Sequence, residues 1–370
     1  MAASLIESFS ILEDPRIERN KRHQLIDIIV LVISAVISGA EGWEAIEEFG
    51  KTKLDWLRRF VPLENGIPSP DCIRRVISRL SAQGFQECFM DWVSTVSEVT
   101  AGEIVAIDGK TLRRSHDRKQ DKKPIHIVSA WASENGVALG QIKTAEKSNE
   151  ITAVPELLEL LDINGFIVTL DAMGCQHGHA DKIIAGGADY VLAVKGNQGN
   201  LHEAVEDYFM VAREAEFQGI DFEYSEEKEK SHGRIEVRRY WITEDLQTLP
   251  SVDLWKGLRS IGMVERVCHQ DGKETVEVRY YINSIPADAK LFSRAVRGHW
   301  GIENSLHWVL DVVFREDESR IRRGNAPEIM NTVRQMALNL LRKEPSTLSI
   351  KKKRLKAAWN DDYRANLLVG

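Results

Sequence analysis

The spacing of apolar residues changes character along this chain, and each change predicts a different kind of element. From the N-terminus to about Val99 the period is helical. "LIDIIVLVISAVISGA" (Leu25–Ala40) is apolar almost throughout and predicts a buried helix. It falls short of the ~20 residues a membrane span requires and contains Asp27. "GWEAIEEFGKTKLDWLRRFV" (Gly42–Val61) is amphipathic, and "NGIPSP" (Asn65–Pro70) predicts a loop. "PDCIRRVISRL" (Pro70–Leu80) then reads as a helix with proline at its start and Asp71 in its first turn. Its arginines suit an ordinary surface helix or one that enters a DNA major groove.

The period next changes. "EIVAIDGKTLR" (Glu103–Arg114), "IHIVSAWASE" (Ile125–Glu134) and "GVALGQIKT" (Gly136–Thr144) predict three strands, with Asn135-Gly136 as a hairpin signal. Asn149–Ile163 predicts a helix, "FIVTLDAMG" (Phe166–Gly174) a strand, "CQHGHADKIIAGG" (Cys175–Gly187) a helix and "DYVLAVKG" (Asp189–Gly196) a strand. The order β-β-β-α-β-α-β is that of a ribonuclease-H-like α/β fold. From about His202 to Asp288 the pattern is charged and strand-like, opened by the cluster "SHGRIEVRRY" (Ser231–Tyr240). It predicts a β-rich insertion outside the first sheet. Helical spacing returns at Ala287.

The last helix carries two stripes. Ile302, Leu306, Val309 and Val313 form an apolar face, and His299, Glu303 and His307 run along its edge one turn apart. Asp108 and Asp171 each end the apolar run of a strand, where ligands collect in α/β sheets. Singly, Asp108 reads as a common Asp-Gly turn and Asp171 as a helix cap. On neighbouring strands, with Glu303 docked against them, the three predict a site for Mg²⁺, with Mn²⁺ as a substitute. Two such ions can serve one phosphodiester. A transition-metal site at His299, Glu303 and His307 is the competing reading, and it lacks HExxH spacing. A purely structural helix with a polar edge is a third.

Composition narrows the class. The chain has 370 residues and a formal net charge of −7, which excludes wholesale coating of nucleic acid and leaves room for local patches. "GKTLRRSHDRKQDKK" (Gly109–Lys123) and "KKKRLK" (Lys351–Lys356) are two such patches, each otherwise readable as a solvated loop. Four dispersed cysteines and the lack of a signal peptide predict a reducing cytoplasm.

These residues carry a resemblance. "LVISAVISGAEGWEAIEEFG", "NGIPSPDCIRRV", "AIDGKTLRRS", "GQIKTAEKSNEITAVPELL", "DAMGCQ", "AVKGNQG", "SHGR", "VRYYI" and "HWGIENSLHWVLDVVFREDESRIRRGNA" make the chain similar, nearly end to end, to the H-repeat-associated transposases. These are bacterial insertion-sequence transposases of the DDE type. The resemblance implies a triad at Asp108, Asp171 and Glu303, and a β-strand insertion between the second and third acids. It further implies an N-terminal associated domain. Where the wider superfamily places Tyr, Arg and Lys around the third acid, this chain has Val296, His299 and Leu310.

The expected layout is an all-helical domain over 1–98, a ribonuclease-H-like core over 99–203 and 291–343, the insertion over 204–290 and a basic tail over 344–370. The expected chemistry is cleavage at an element's ends, followed by joining of the 3′-hydroxyl to target DNA. Asp108 would bridge two ions, with Asp171 and Glu303 holding one each. Lys110, Arg113, Arg114, Lys195, His299, His307, Arg320, Arg322 and Arg323 are candidate DNA contacts. Double-stranded DNA, a homodimer at synapsis and work at the nucleoid are the expected partners and place. An Mg²⁺-dependent nuclease that does not join, and a DNA-binding remnant that does not cut, are the alternatives.

Overall fold

The computed structural model describes residues 2–96, 101–116, 123–144, 150–231 and 233–369. Residues 117–122 of the first basic patch, Ala145–Asn149 and His232 lie outside them.

Six helices come first: α1 (Ala2–Ser10), α2 (Leu25–Ile37), α3 (Trp43–Thr52), α4 (Leu54–Leu57), α5 (Pro70–Ile77) and α6 (Ala82–Val96). Every residue of α2 but Ile26 is buried, as its unbroken apolar run requires. Ser69 caps α5 by accepting from the Cys72 N–H, and Pro70 fills its first turn. One hydrophobic core runs from these helices into α12 (Ala326–Lys343).

A mixed nine-stranded sheet follows. Strands β1 (Ile104–Leu112), β2 (Ile125–Ala132) and β3 (Val137–Lys143) form an antiparallel meander. β4 (Ile167–Leu170) then pairs parallel with β1, and β5 (Asp189–Val194) parallel with β4. Helices α7 (Glu150–Leu160) and α8 (His177–Ala185) make the crossovers.

The His202–Asp288 segment departs from expectation in two ways. It opens with a helix, α9 (Gly199–Glu214), whose residues Leu201, Val205, Phe209 and Ala212 give a buried face at helical spacing. Its strands β6 (Glu223–Ser231), β7 (Arg234–Thr243), β8 (Ser260–Gln270) and β9 (Lys273–Asn283) are not a separate sheet. β9 pairs antiparallel with β5, giving the order β3-β2-β1-β4-β5-β9-β8-β7-β6. The open edge of β5 is closed by β9, and alternation along a strand does not record which sheet it joins.

The C-terminal basic patch is also not a tail. It forms α13 (Ile350–Trp359), capped by Ser349 and followed by α14 (Asp361–Val369). Lys353 is buried and donates to the Leu341 and Glu344 carbonyls at the end of α12. Arg354 is buried too, and donates to the carbonyls of Val36 and Val313. Both cations satisfy carbonyls that their segments leave open, which removes them from any nucleic-acid surface. No helix among the described residues is long and apolar enough to cross a membrane.

Candidate active site

The parallel register pairs Ile107 with Leu170, so Asp108 and Asp171 are the next residues on adjacent strands. Both stand at the carboxyl ends of the parallel pair. Asp108 continues into β1, opposite Ser129 of β2, with 27% of its side chain exposed. Asp171 leaves the sheet exposed, and its Oδ1 accepts from the Gly174 N–H at 3.1 Å.

Glu303 arrives on a long helix. α10 (Ala289–Gly301) is capped by Asp288, whose Oδ1 accepts from the N–H groups of Lys290 and Leu291 at 2.9 Å. It lies close against the start of β1 because Gly298 has no side chain: a Cβ there would stand 2.7 Å from Cγ2 of Ile104. The helix does not continue as a regular α-helix. Ile302–His307 forms a π-helical stretch before α11 (Trp308–Val312). Such wide turns recur at functional sites. They shift the apolar seam, so that Ile302, Leu306, Val309 and Leu310 are buried while Val313 is only partly so.

The same stretch splits the polar edge. Glu303 is exposed to the cleft, whereas His307 is buried with its Nδ1 3.5 Å from Oδ2 of Asp108. His299 turns the other way, its Nδ1 3.0 Å from Oγ1 of Thr169. Burial pushes His299 down to about 4 and His307 to about 3, so both are neutral imidazoles at physiological pH. The expected phosphate contact at His307 is therefore corrected. This ring is enclosed and uncharged, and it faces a carboxylate.

Asp108, Asp171, Glu303, Lys195 and His299 line one cleft of about 270 Å³. Burial raises Asp108 to about 7, and the charges of Glu150, Asp171 and Glu303 push the same way against the Gly109 N–H. Glu150 is a residue that sequence reasoning missed. It starts α7 and accepts across to His126, whose Nδ1 is 2.9 Å from the Thr111 hydroxyl. A separation of 42 residues from Asp108 leaves no periodic signal that would find it.

Gly109 explains how Glu150 approaches so closely: a Cβ at 109 would collide with the Glu150 carboxylate and the His126 ring. Gly109→Ala is expected to cost about 1–3 kcal/mol of stability in urea unfolding, the usual range for overpacking. Unchanged unfolding would mean that Glu150 does not need that approach.

Lys110 is not a DNA contact. Side chains at i and i+2 share a sheet face, so Lys110 points with Asp108 toward α11, and only 11% of it is exposed. Its Nζ meets Asp311 Oδ1 at 2.5 Å and Glu316 Oε2 at 2.8 Å. Glu316 in turn accepts from Asn331 at 2.7 Å and Arg334 at 3.1 Å, both on α12. The network ties the strand of Asp108 to the helix of Glu303.

The remaining basic candidates are scattered over the surface. Lys195 is exposed in the cleft. Arg113 and Arg114 are exposed at the end of β1, Arg113 facing Asp317 and the Arg114 carbonyl accepting from Arg322. Arg323 is exposed, and Arg320 lines a depression with Glu41 and Glu44 instead of the acid cleft.

Three hard oxygen donors on one cleft, one of them pushed toward protonation by its neighbours, suit a divalent cation. Among the described residues no three His, Cys, Asp or Glu side chains are grouped closely enough to hold an ion as they stand. Asp171 and Glu303 are exposed, so the rotamer changes needed to draw in are open to both.

Carboxylates at the carboxyl ends of parallel strands, in a mixed α/β sheet, stand where ligands collect in such sheets. The chain belongs to the DDE transposases: "Transposase DDE domain" matches residues 100–340, and "DDE_Tnp_1-associated" matches 6–93. Family membership implies a divalent metal, typically Mg²⁺. It is 46% identical over 99% of its length to "Putative transposase YncI" of Escherichia coli O157:H7, covering 94% of that protein. It is 44% identical over 99% of its length to "H repeat-associated putative transposase YhhI" of Escherichia coli K12, covering 98%. A solved piggyBac transposase synaptic complex with hairpin DNA aligns at a TM-score of 0.44 with 10% identity, over 99% of this chain and 77% of that one.

Proposed function

We propose that this protein cuts DNA at the ends of an insertion element and joins the freed 3′-hydroxyl to target DNA, using Asp108, Asp171 and Glu303. The observation that carries this reading is the β1–β4 register, which sets Asp108 beside Asp171 in a cleft also lined by Glu303. Strands β1–β5 with α10 act as a ribonuclease-H-like core, residues 1–98 as the associated domain and β6–β9 as an extension of the core sheet.

Asp108, Asp171 and Glu303 would hold the Mg²⁺ ions, which when bound would make an attacking oxygen more acidic and neutralise charge on the phosphate. The chain supplies position. His307, neutral and 3.5 Å from Asp108, forms the enclosed wall behind that carboxylate. His299, held on Thr169, leaves its other ring nitrogen as a neutral hydrogen-bonding group on the cleft wall. Lys195 faces the same space and suits a phosphate near the reacting one. Arg113, Arg114, Arg322 and Arg323 would meet flanking phosphates, and their contribution should fall with salt. Arg320 would contact DNA only beyond the cleft. A homodimer would hold two ends together, in the cytoplasm at the nucleoid.

The test is strand transfer. Purified protein, a precut element end with a free 3′-hydroxyl and supercoiled target plasmid are combined in Mg²⁺. End-joined circles are the expected product. No joined product here, with intact ends cut in a parallel reaction, would replace the transposase reading with that of a nuclease.

A further inference from the structure

The helical run that carries Glu303 is gripped from outside at two of its carbonyls. Before Glu303, the Ser133 hydroxyl donates to the Gly298 carbonyl at 2.7 Å. After it, Nη2 of Arg342 donates to the Ser305 carbonyl at 2.6 Å. Ser305 lies inside the π-helical stretch, where the Trp308 N–H reaches back five residues to the Glu303 carbonyl. A side chain that enters a helix's own hydrogen-bond ladder is one of the few recognised causes of a local change in its course.

The donor is far from home. Arg342 stands in the last turn of α12, where a cation ordinarily serves the open carbonyls of its own helix. Its guanidinium crosses instead to the interior of another helical run. Burial pushes it below the ordinary range, with no carboxylate charge among the described residues working against that. Arg334, on the same helix, faces Glu316 at 3.1 Å. Arg342 has the Ser305 carbonyl and the face of Trp131, whose ring centroid is 5.1 Å from the guanidinium carbon. Trp131, 1% exposed on β2, meets the Glu303 run as well: a Cβ at Gly301 would stand 3.4 Å from its indole nitrogen. Arg354 makes a similar bond to the Val313 carbonyl, but Val313 follows the last residue of α11, where any helix leaves carbonyls open. Ser305 has helix on both sides, where a regular α-helix needs no outside donor.

The turn matters for what it carries. Each residue of an α-helix advances about 100°, so a wide turn that absorbs one residue changes by about that angle which side chains face the sheet. Here Glu303 is exposed to the cleft, while Leu306 and His307 are buried. We infer that Arg342 is a positioning residue for the acid cleft: stacked on Trp131 and bonded to the Ser305 carbonyl, it holds the wide turn in the form that presents Glu303 to Asp108 and Asp171. The inference rests on the proposed role of Glu303, and its first readout does not require cleavage.

The experiment is amide hydrogen exchange of the full chain in chelator, read over peptides spanning 302–310, for the wild type, Arg342→Gln and Arg342→Lys. Arg342→Gln should quicken exchange there roughly tenfold or more, while peptides of β1 and β4 keep the wild-type rate. On element-end DNA its kcat should fall roughly a hundredfold, the scale of an ångström's misplacement, with KM for DNA within about twofold of the wild type. Arg342→Lys keeps a charge and a donor but loses the flat fork that stacks on Trp131, so it should fall between the two. If Arg342→Gln does not fold, Arg342→Lys carries the test, with exchange over 302–310 about threefold faster. Wild-type exchange over 302–310 in the variant that folds would overturn the inference. So would an equal quickening throughout the chain, or a wild-type kcat. If the local change is seen while the wild type never cuts DNA, the hold on this turn stands and the transposase reading fails. If the wild type cuts and joins, and Arg342→Gln exchanges and cuts as it does, that reading stands and this inference falls.

Discussion

Asp108→Asn is expected to lower DNA cleavage in Mg²⁺ by roughly a thousandfold or more, about 4 kcal/mol of transition-state stabilisation at 1.36 kcal/mol per tenfold. An amide keeps the shape of the side chain and loses the anionic oxygen a hard cation needs. The same change should leave the fold intact. Asp108 is already disfavoured as an anion by burial and by Glu150, Asp171 and Glu303, so removing its charge relieves repulsion. In chelator the variant should therefore melt at or above the wild-type temperature. A variant that loses activity by unfolding would melt lower, and calorimetry in chelator separates the two. Element-end DNA should still bind in the absence of metal, because phosphate contacts come from the basic residues and not from the triad.

Glu316→Gln should be among the most destabilising single substitutions in the chain. Glu316 is 1% exposed and sits between Lys110 and Arg334. Breaking a buried pair by removing one partner leaves an uncompensated charge and costs about 3–5 kcal/mol. The loss should depend on pH with a definite sign. Burial would raise this carboxyl, but Lys110 and Arg334 hold it at about 2, below its ordinary 4.5. A depressed carboxyl stabilises the fold above its unfolded pKa and loses that contribution as pH falls toward the folded one. The wild-type advantage over Glu316→Gln should thus be constant above about pH 5 and shrink below it. Urea unfolding of both proteins at pH 7, 5 and 4 measures this. An equal difference at all three pH values would mean that the ionised pair is not what stabilises this corner. Because the network joins β1 to the segment after Glu303, the variant should also cut more slowly even where it remains folded.

What was legible in the sequence follows from how local each signal is. β1, the β2–β3 hairpin, β4 and α8 rest on short apolar runs, on an Asn-Gly turn and on short connections, and they formed where expected. The neighbourhood of Asp108 and Asp171 followed from strand order alone. Signals that depend on distant partners did not survive. Lys110 looked like one cation among seven until the fold placed Asp311 and Glu316, some 200 residues on, against its amine. The run at Lys351–Lys356 looked solvated because charge says nothing about which carbonyls a folded neighbour leaves open. The π-helical stretch at Ile302–His307 is six residues long, too short for periodicity to distinguish it from an α-helix, yet it sends His299 and His307 to different partners. Sheet membership of β6–β9 was illegible because strands of period two look alike in any sheet.

Asp108, Asp171 and Glu303 are proposed to form one cation-dependent site that cuts DNA. A plasmid carrying this gene with its native flanking DNA, incubated with the purified protein in Mg²⁺, tests it most directly. The wild type should cut at the flanks, chelator should stop it, and Asp108→Asn, Asp171→Asn and Glu303→Gln should each bind those flanks without cutting. A wild type that binds the flanks and never cuts, or an acid variant that cuts at the wild-type rate, would contradict the account.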